Sequence, residues 1–434
     1  MLGKEPDELM PTVKSGPESF ARLVSQGGFR VLYNFEALLW SFMIAATILV
    51  ILRTLVITIL ASRHIHRRVA PLPSDDQPPI SVILAAFNEE KVIEATLRHL
   101  LRTTYGGPME VVVVDDGSTD QTAAIVERLA ETDPRIRLIR QPNQGKALAL
   151  RAAITEASYD ILVTLDADTQ FAPQTIGSLV QPFSDPRVGA VSGHAKVGNL
   201  RTFIARCQSL EYICGFNLDR RAYHQLNCIT VAPGAVSALR KSALIQVGGI
   251  STDTLAEDTD LTLALHRKGH RVAYVPAAVA WTEAPESVRA LVKQRFRWAF
   301  GTLQCLWKHR DMVFNPHFGA LGWFSLPGVW FFQILLVTIT PLVDFLLVCS
   351  LSLGVGDAIF AYFVTFLIMD IFLAGLACRM EGERLSKALL IIPMRFIYRP
   401  LLSWVIWKSI VKAAKGAWVT WGKLDRTASV PSQA

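Results

Sequence analysis

Four short apolar runs constrain this chain more than any other feature. They are ISVILAA at 80–86, MEVVVV at 109–114, IRLI at 136–139 and YDILVTL at 159–165. Runs so short and continuous suit strands buried on both faces. Helical patterns lie between them at about 89–104, 121–131 and 145–158. Strand and helix alternate, so the expected fold is α/β, a mostly parallel sheet covered by helices. In such sheets ligands bind beyond the C-terminal ends of the strands.

Each run ends in polar residues. Phe87-Asn88-Glu89-Glu90 follows the first, Asp115-Asp116-Gly117-Ser118 the second, Asn143-Gln144-Gly145-Lys146 the third and Asp166-Ala167-Asp168 the fourth. One polar ending is what any loop provides. Four at one sheet edge, carrying four aspartates and a lysine, mark a site. Asp166 and Asp168 flank a single alanine, so both carboxylates can enter one space. Two oxygen donors there suit a hard divalent ion, Mg²⁺ or Mn²⁺, shared with substrate phosphates. Asp115 and Asp116 are placed to accept hydrogen bonds from a base or ribose, and Lys146 supplies a point charge for phosphate. Neither GxGxxG nor GxxxxGK[ST] occurs, which argues against a dinucleotide enzyme or a P-loop NTPase.

Further along, Glu257 and Asp258 open a helix whose apolar residues are Leu261, Leu263 and Leu265. Acids in a first turn complement the helix dipole. Beside a metal–phosphate site, such a carboxylate also suits a general base. Pro233-Gly234-Ala235 is a small-residue turn that lets substrate approach the backbone. In VKQRFRWAFGTLQCLW (292–307), Val292, Phe296, Phe300, Leu303 and Trp307 share one apolar helical face. Gln294, Arg297, Trp298 and Gly301 share another, suited to something anionic and something flat.

The remainder is membrane-like. Hydrophobic residues make up 51% of the 434, high for a soluble protein. Residues 37–61 are apolar except for Arg53 and are long enough to span a bilayer. Further apolar stretches run at about 321–353, 355–378 and 385–411; the first contains Pro341 and the last Arg395 and Arg399. Asp344 and Asp370 lie in or beside them, either lining a polar route or held in ion pairs. The net charge is +7. Arg63, Arg67 and Arg68 follow the first span, and Lys408, Lys412, Lys415, Lys423 and Arg426 lie at the C-terminal end, which suggests cytoplasmic flanks. No nucleic-acid reader motif accompanies that charge. The six cysteines show no CxxC or metal spacing and read as small core residues.

In this order the motifs resemble the signature of membrane-embedded, processive family-2 glycosyltransferases, which include cellulose, chitin, hyaluronan and bacterial poly-N-acetylglucosamine synthases. The residues are Asp115-Asp116-Gly117-Ser118, Asp166-Ala167-Asp168, Glu257-Asp258 and Gln294-Arg295-Phe296-Arg297-Trp298. FNEEKVIEATL, NQGKALAL and SALRKSAL bring the chain nearest to the poly-N-acetylglucosamine synthases. The resemblance implies a GT-A-type, Rossmann-like domain inserted between transmembrane helices. It also implies a UDP-sugar donor, UDP-GlcNAc favoured, and a glycan acceptor. Asn88, Glu89, Asp115 and Asp116, with Lys146 and Asp166, would hold the nucleotide, and Asp168 with Asp166 the metal. Asp258, beside Glu257, would be the base. Gln294, Arg295 and Arg297 would bind diphosphate, with Trp298, Pro233 and Gly234 toward the acceptor. The usual Thr-Glu-Asp reads Ala256-Glu257-Asp258 here.

The expected organisation is a tail and first span at 1–68, a linker at 69–79, a cytoplasmic catalytic domain at 80–310, transmembrane or interfacial helices at 311–411 and a basic tail at 412–434. The expected location is the bacterial inner membrane, with room for a small accessory membrane subunit. A non-processive transferase acting on a lipid or polyprenyl carrier would share the aspartates but usually lack Q-x-x-R-W. A transporter would show many spans and internal repeats. A decayed nucleotide sensor would have lost a carboxylate.

Overall fold

The valine and isoleucine runs form the strands that their continuity predicts. The computed structural model describes residues 41–42, 44–64, 77–352, 357–416 and Val430. The N-terminal tail at 1–40, residues 69–76 of the linker and the basic residues Arg67, Arg68, Lys423 and Arg426 lie outside these. The chain divides into two compact units, Met1–Val56 and Ile57–Ala434. The described part of the first is helical and belongs to α1 (Ile44–His64).

The second unit opens with β1 (Ile80–Ala86), α2 (Ile93–Leu101), β2 (Met109–Asp115), α3 (Thr122–Thr132), β3 (Ile136–Arg140), α4 (Lys146–Glu156) and β4 (Ile161–Thr164). Then come β5 (Gln170–Phe171), α5 (Thr175–Val180), β6 (Val188–Val197), α6 (Phe203–Glu211), a π-helical stretch Tyr212–Asn217 and α7 (Leu218–Gln225). β7 (Ser237–Arg240), α8 (Lys241–Gln246), α9 (Glu257–Arg267), β8 (Arg271–Thr282) and α10 (Val288–Lys308) complete the α/β part.

Among the described residues, eight strands make one sheet in the order β3-β2-β1-β4-β7-β6-β8-β5. β1 is parallel to both β2 and β4, with Ile83 opposite Val112 on one side and Thr164 on the other. Ile83, Val112 and Leu162 pack on one face of the sheet, and Val82, Leu84, Val111 and Val163 on the other. Both faces are covered, which is why the runs are continuous rather than alternating. The strand order reverses between β1 and β4, and the expected crevice opens there. The sheet is mostly parallel as expected, β6 and β8 also pairing parallel, with two reversed strands in its second half. β7 is antiparallel to β4 and β6, and β5 to β8.

Four helical stretches among the described residues have the length and composition to cross a membrane: α1, Leu321–Phe345, Phe363–Met380 and Leu385–Ala414. Asp344 and Asp370 are ion-paired. Arg395 Nη2 lies 3.3 Å from Asp344, and Arg399 Nη1 2.6 Å from Asp370. Of the two readings for these acids, the ion pair is the one seen, and it lowers the penalty of holding charge at membrane depth.

A second polar joint ties the end of the Phe363–Met380 stretch to the sheet. The buried Glu381 carboxylate takes Arg221 Nη2 of α7 at 2.8 Å and lies 3.0 Å from His194 Nε2 of β6. Burial alone would raise the Glu381 pKa. Its contacts with His194 and Arg221 outweigh burial and hold it at about 2. The depressed pKa means the joint stabilises fully above pH 4.5, the ordinary value, and weakens as pH falls toward 2. Removing one partner of such a pair strands the other charge. Glu381→Ala should therefore cost about 3–5 kcal/mol, read as a lower thermal unfolding midpoint of the detergent-solubilised protein.

Candidate active site

The β2 end shapes the rim of the crevice. Asp116 is buried, and its carboxylate accepts from Gln141 Nε2 at 2.7 Å, Gln144 N at 3.0 Å and Gly145 N at 2.8 Å. It therefore organises the turn into α4. Gly145 itself has φ +91, which a side chain would strain. Asn88, with φ +53, latches the same rim. Its Oδ1 accepts from Thr119 N at 2.8 Å, and its own N–H donates to Ser118 Oγ at 2.9 Å. Asp116 and Asn88, expected as nucleotide ligands, thus also hold the loops of the rim. Asp115 differs: it is buried, yet its Oδ1 has no partner among the described residues. An acceptor in that state is open to a donor from a ligand or a water. Glu89 lies on the same rim, with its N–H on Thr122 Oγ1 at 2.7 Å.

The turn that Asp116 fixes starts α4 at Lys146. Its ammonium lies 2.8 Å from Asp166 Oδ1 and 3.2 Å from Glu257 Oε1. Burial works against this charge, but the two carboxylates prevail and hold the lysine pKa above its ordinary value. Asp258 follows Glu257 in the first turn of α9 and accepts from Thr259 N at 2.7 Å. Burial, then the Glu257 charge beside it, push its pKa up to about 6, against the pull of Lys146. Gly234 sits against this cluster: a Cβ there would lie 3.1 Å from Lys146 Nζ and 3.7 Å from Asp166 Oδ1. Gly234, expected on the acceptor side, keeps space open beside the charged groups. Pro233 begins the same turn, its carbonyl accepting from Val236 N at 3.2 Å.

Asp168 is buried one residue beyond Ala167, whose carbonyl accepts from Thr96 of α2 at 2.7 Å. That bond fixes the Asp166–Asp168 turn from beneath. Among the described residues no three His, Cys, Asp or Glu side chains converge as a closed metal site. Two carboxylates, one also holding an ammonium, fit a hard cation whose remaining ligands are phosphate oxygens rather than protein.

The VKQRFRW segment lies in α10, started by Ser287, whose side chain accepts from Ala290 N. Gly301 presses this helix onto the stretch before α9. A Cβ on Gly301 would lie 2.7 Å from Ala256 N and 2.8 Å from Ala256 Cβ. Gln304 Oε1 accepts from Leu255 N at 2.9 Å, and Cys305 Sγ lies 3.5 Å from the Ala256 carbonyl oxygen. Glu257 and Asp258 are thus held from behind by α10. The sequence signalled Gly301 as bare backbone, but Gln304 and Cys305 looked like ordinary helix residues.

The helix faces are only partly those expected. Phe296 and Phe300 stack at 5.8 Å, with Lys408 and Lys412 against the Phe296 ring. Trp307 departs from this apolar face: it is 67% exposed, with Arg310 over its ring. Gln294 is buried and its Oε1 has no partner among the described residues. Arg297 is close enough for its charge to act on Lys146. Arg295, expected as a diphosphate ligand, is engaged within the protein. It is buried, its Nη2 lies 2.8 Å from Glu211 Oε2 and 3.4 Å from Tyr398 OH, and its guanidinium covers Trp298 at 4.3 Å. The half-buried Trp298 also approaches Phe216 at 6.0 Å and Tyr212 at 6.5 Å. Glu211, Tyr398, Tyr212 and Phe216 lie far from α10 in sequence, and no local pattern announced them.

Fold and crevice together are those of an α/β enzyme domain. The chain belongs to the family described as glycosyltransferase like family 2, which matches residues 78–301. The poly-beta-1,6-N-acetyl-D-glucosamine synthase of Staphylococcus aureus strain COL is 34% identical over 228 residues, 52% of this chain and 55% of that one. The chain thus spans about half the length of the Staphylococcus aureus relatives it matches. The synthase of the same name from Staphylococcus epidermidis is 29% identical over 373 residues, 80% of this chain and 87% of that one. A mannosyltransferase from Pyrobaculum calidifontis, solved in complex with GDP-Man and Mn2+, superposes with a TM-score of 0.58 at 24% identity. It covers 82% of this chain and 98% of its own, and the likeness concerns the GT-A fold.

The Gly301 contact yields a direct test. Gly301→Ala forces a carbon against the Ala256 backbone, and overpacking of this kind costs about 1–3 kcal/mol. Turnover should fall more than tenfold, roughly the rate effect of an ångström-scale misplacement of Asp258. Donor affinity, measured by calorimetric titration, should stay near wild type.

Proposed function

We propose that this chain is an inverting, processive glycosyltransferase. It moves a sugar, N-acetylglucosamine favoured, from a UDP-sugar onto a growing β-linked polysaccharide and passes the product across the membrane. The observation that carries this reading is Asp258, its pKa pushed up to about 6, beside the Lys146–Asp166–Glu257 cluster at the sheet's switch point. The names of the staphylococcal relatives support the choice of sugar.

Asp258 takes the proton from the acceptor hydroxyl. The freed oxygen attacks the anomeric carbon from the face opposite the diphosphate. The bond from that carbon to the diphosphate oxygen breaks, and its electron pair leaves on the UDP. One displacement inverts the centre and needs no second protein acid, because the leaving group is already a stable anion. Lys146 and Arg297 face the developing negative charge. Asp166 and Asp168 would hold Mg²⁺ or Mn²⁺, which supplies further positive charge at the diphosphate. Asp115 receives a donor group of the nucleotide, and Gln294 offers its amide to the diphosphate. Trp298, floored by Arg295, presents its remaining surface to the acceptor sugar. A hydrolytic two-carboxylate scheme fits less well, since the other carboxylates beside Asp258, Glu257 and Asp166, are held by Lys146.

In this reading residues 80–310 are the cytoplasmic catalytic domain, where nucleotide sugars are available. The helices of 311–411 belong to the inner membrane and the basic tail of 412–434 to its cytoplasmic side. Lipid bilayer, UDP-sugar and glycan are the partners, and the reading accommodates a small accessory membrane subunit.

A donor screen tests the proposal. Purified protein in nanodiscs with Mg²⁺ or Mn²⁺ is offered UDP-GlcNAc, UDP-glucose, UDP-galactose and UDP-glucuronate separately. UDP release and product size are read together. Turnover with UDP-GlcNAc and a long product are expected. A single sugar added to supplied lipid would replace the processive reading with lipid glycosylation, and no turnover with any donor would overturn it. Asp258→Asn should lower the rate by about 10²–10⁴-fold.

The pH profile is a separate test. The base acts as carboxylate, and its folded pKa is raised to about 6. Activity should therefore be full above that value and fall about tenfold per pH unit below it. An ordinary aspartate would place the fall near pH 4.

A further inference from the structure

We propose that Arg220 is an acceptor-binding residue: its guanidinium donates hydrogen bonds to oxygens of the sugar whose hydroxyl Asp258 deprotonates. The inference rests on the glycosyl-transfer reading above. Arg220 lies on α7, just past the π-helical stretch 212–217. It is only 9% exposed, and its Nη1 has no hydrogen-bond partner among the described residues. Other buried arginines are held in ion pairs. Arg221, next in sequence, is paired with Glu381, and Arg295 with Glu211. Arg220 has instead an aromatic ring, Phe216, with its guanidinium carbon 5.6 Å from the centroid. Its electrostatic neighbours are Tyr274, Asp258, Tyr212 and Asp219.

Arg220 acts electrostatically on Asp258 from α7, as Lys146 does from α4, and in the proposed function Lys146 and Arg297 serve the diphosphate. Arg220 is grouped with Tyr212 and Phe216, which pack together at 4.8 Å and both approach Trp298. A sugar resting on that aromatic surface, with one hydroxyl toward Asp258, presents its other oxygens to Arg220. The class of ligand is a hexopyranose, recognised through ring hydroxyls or an acetamido carbonyl. Holding a guanidinium dry and unpaired costs free energy. The acceptor oxygen recovers it, so the resting protein is less stable than an apolar side chain would make it. The proton still passes from acceptor to Asp258; Arg220 transfers none.

The test uses full-length protein in nanodiscs, UDP-GlcNAc as donor, and N-acetylglucosamine and its short oligomers as acceptors. The variants are Arg220→Met and Arg220→Lys. Arg220→Met should raise the acceptor KM about tenfold or more, the effect of losing a hydrogen bond to a charged group. The UDP-GlcNAc KM should stay in place. The unfolding midpoint should rise, because an unpaired buried charge has been replaced by a packed chain of similar shape. Arg220→Lys keeps the charge but not the fork, and should fall between. An unchanged acceptor KM overturns the proposal. So does a midpoint lowered by more than about 5 °C in both variants, which would make Arg220 a structural support. Wild type showing no UDP release from any UDP-sugar would instead bring down the glycosyltransferase reading, and this inference with it.

Discussion

The Lys146 ammonium is the interaction on which the site depends. It draws together carboxylates from the end of β4 and the start of α9 that would otherwise repel each other. Its position is inherited from β2. Asp116 at that strand end binds the Gly145 N–H, Gly145 adopts a left-handed turn, and the turn delivers Lys146 into the crevice. Each step is local, and the last fixes the electrostatics of the base. Asp258 is pulled toward ionisation by Lys146 and pushed from it by burial and by Glu257. The balance leaves a carboxyl that titrates just below neutrality.

The membrane-proximal helices are joined to this arrangement by polar contacts. Hydrophobic packing has no directional preference, and in lipid it provides little drive for one helix to choose another. Glu381 with Arg221 and His194, and Arg295 with Glu211 and Tyr398, supply the orientation that apolar surfaces lack. Both joints are buried, so breaking one leaves a charge without compensation. The α10 helix reaches from the base to the Lys408–Lys412 face of the last apolar helix, so the chemical and membrane parts share a structural member.

The first half of the sheet was legible because its strands are covered on both faces and therefore read as plain apolar runs. The second half was not. β6 reads VGAVSGHAKV and buries serine, glycine and histidine, β8 carries Pro276, and β7 is only four residues long. None of these produces a clean period. The acids were legible for a topological reason, since strand ends on one edge converge whatever the rest of the fold does. What sequence could not reveal was engagement. Asp115 and Asp116 are neighbours of one type, yet one holds a loop and the other has a bare buried oxygen. The helical wheel set Arg297, and not Arg295, on the face of Gln294, but the groups that engage Arg295, Glu211 and Tyr398, are distant in sequence.

The contact between Gly301 and Ala256 bears on how this site can change through evolution. The two Cβ positions occupy one volume, since a carbon on Gly301 would lie 2.8 Å from the carbon on Ala256. Side-chain bulk at these two positions is a shared quantity and not two independent choices. A chain that carries threonine before the two acids must find room for the larger side chain by rotamer or by retreat of the helix. The alanine here relaxes that demand. Drift at position 256 is therefore answered on a helix that begins some thirty residues later, and the two sites record each other's history.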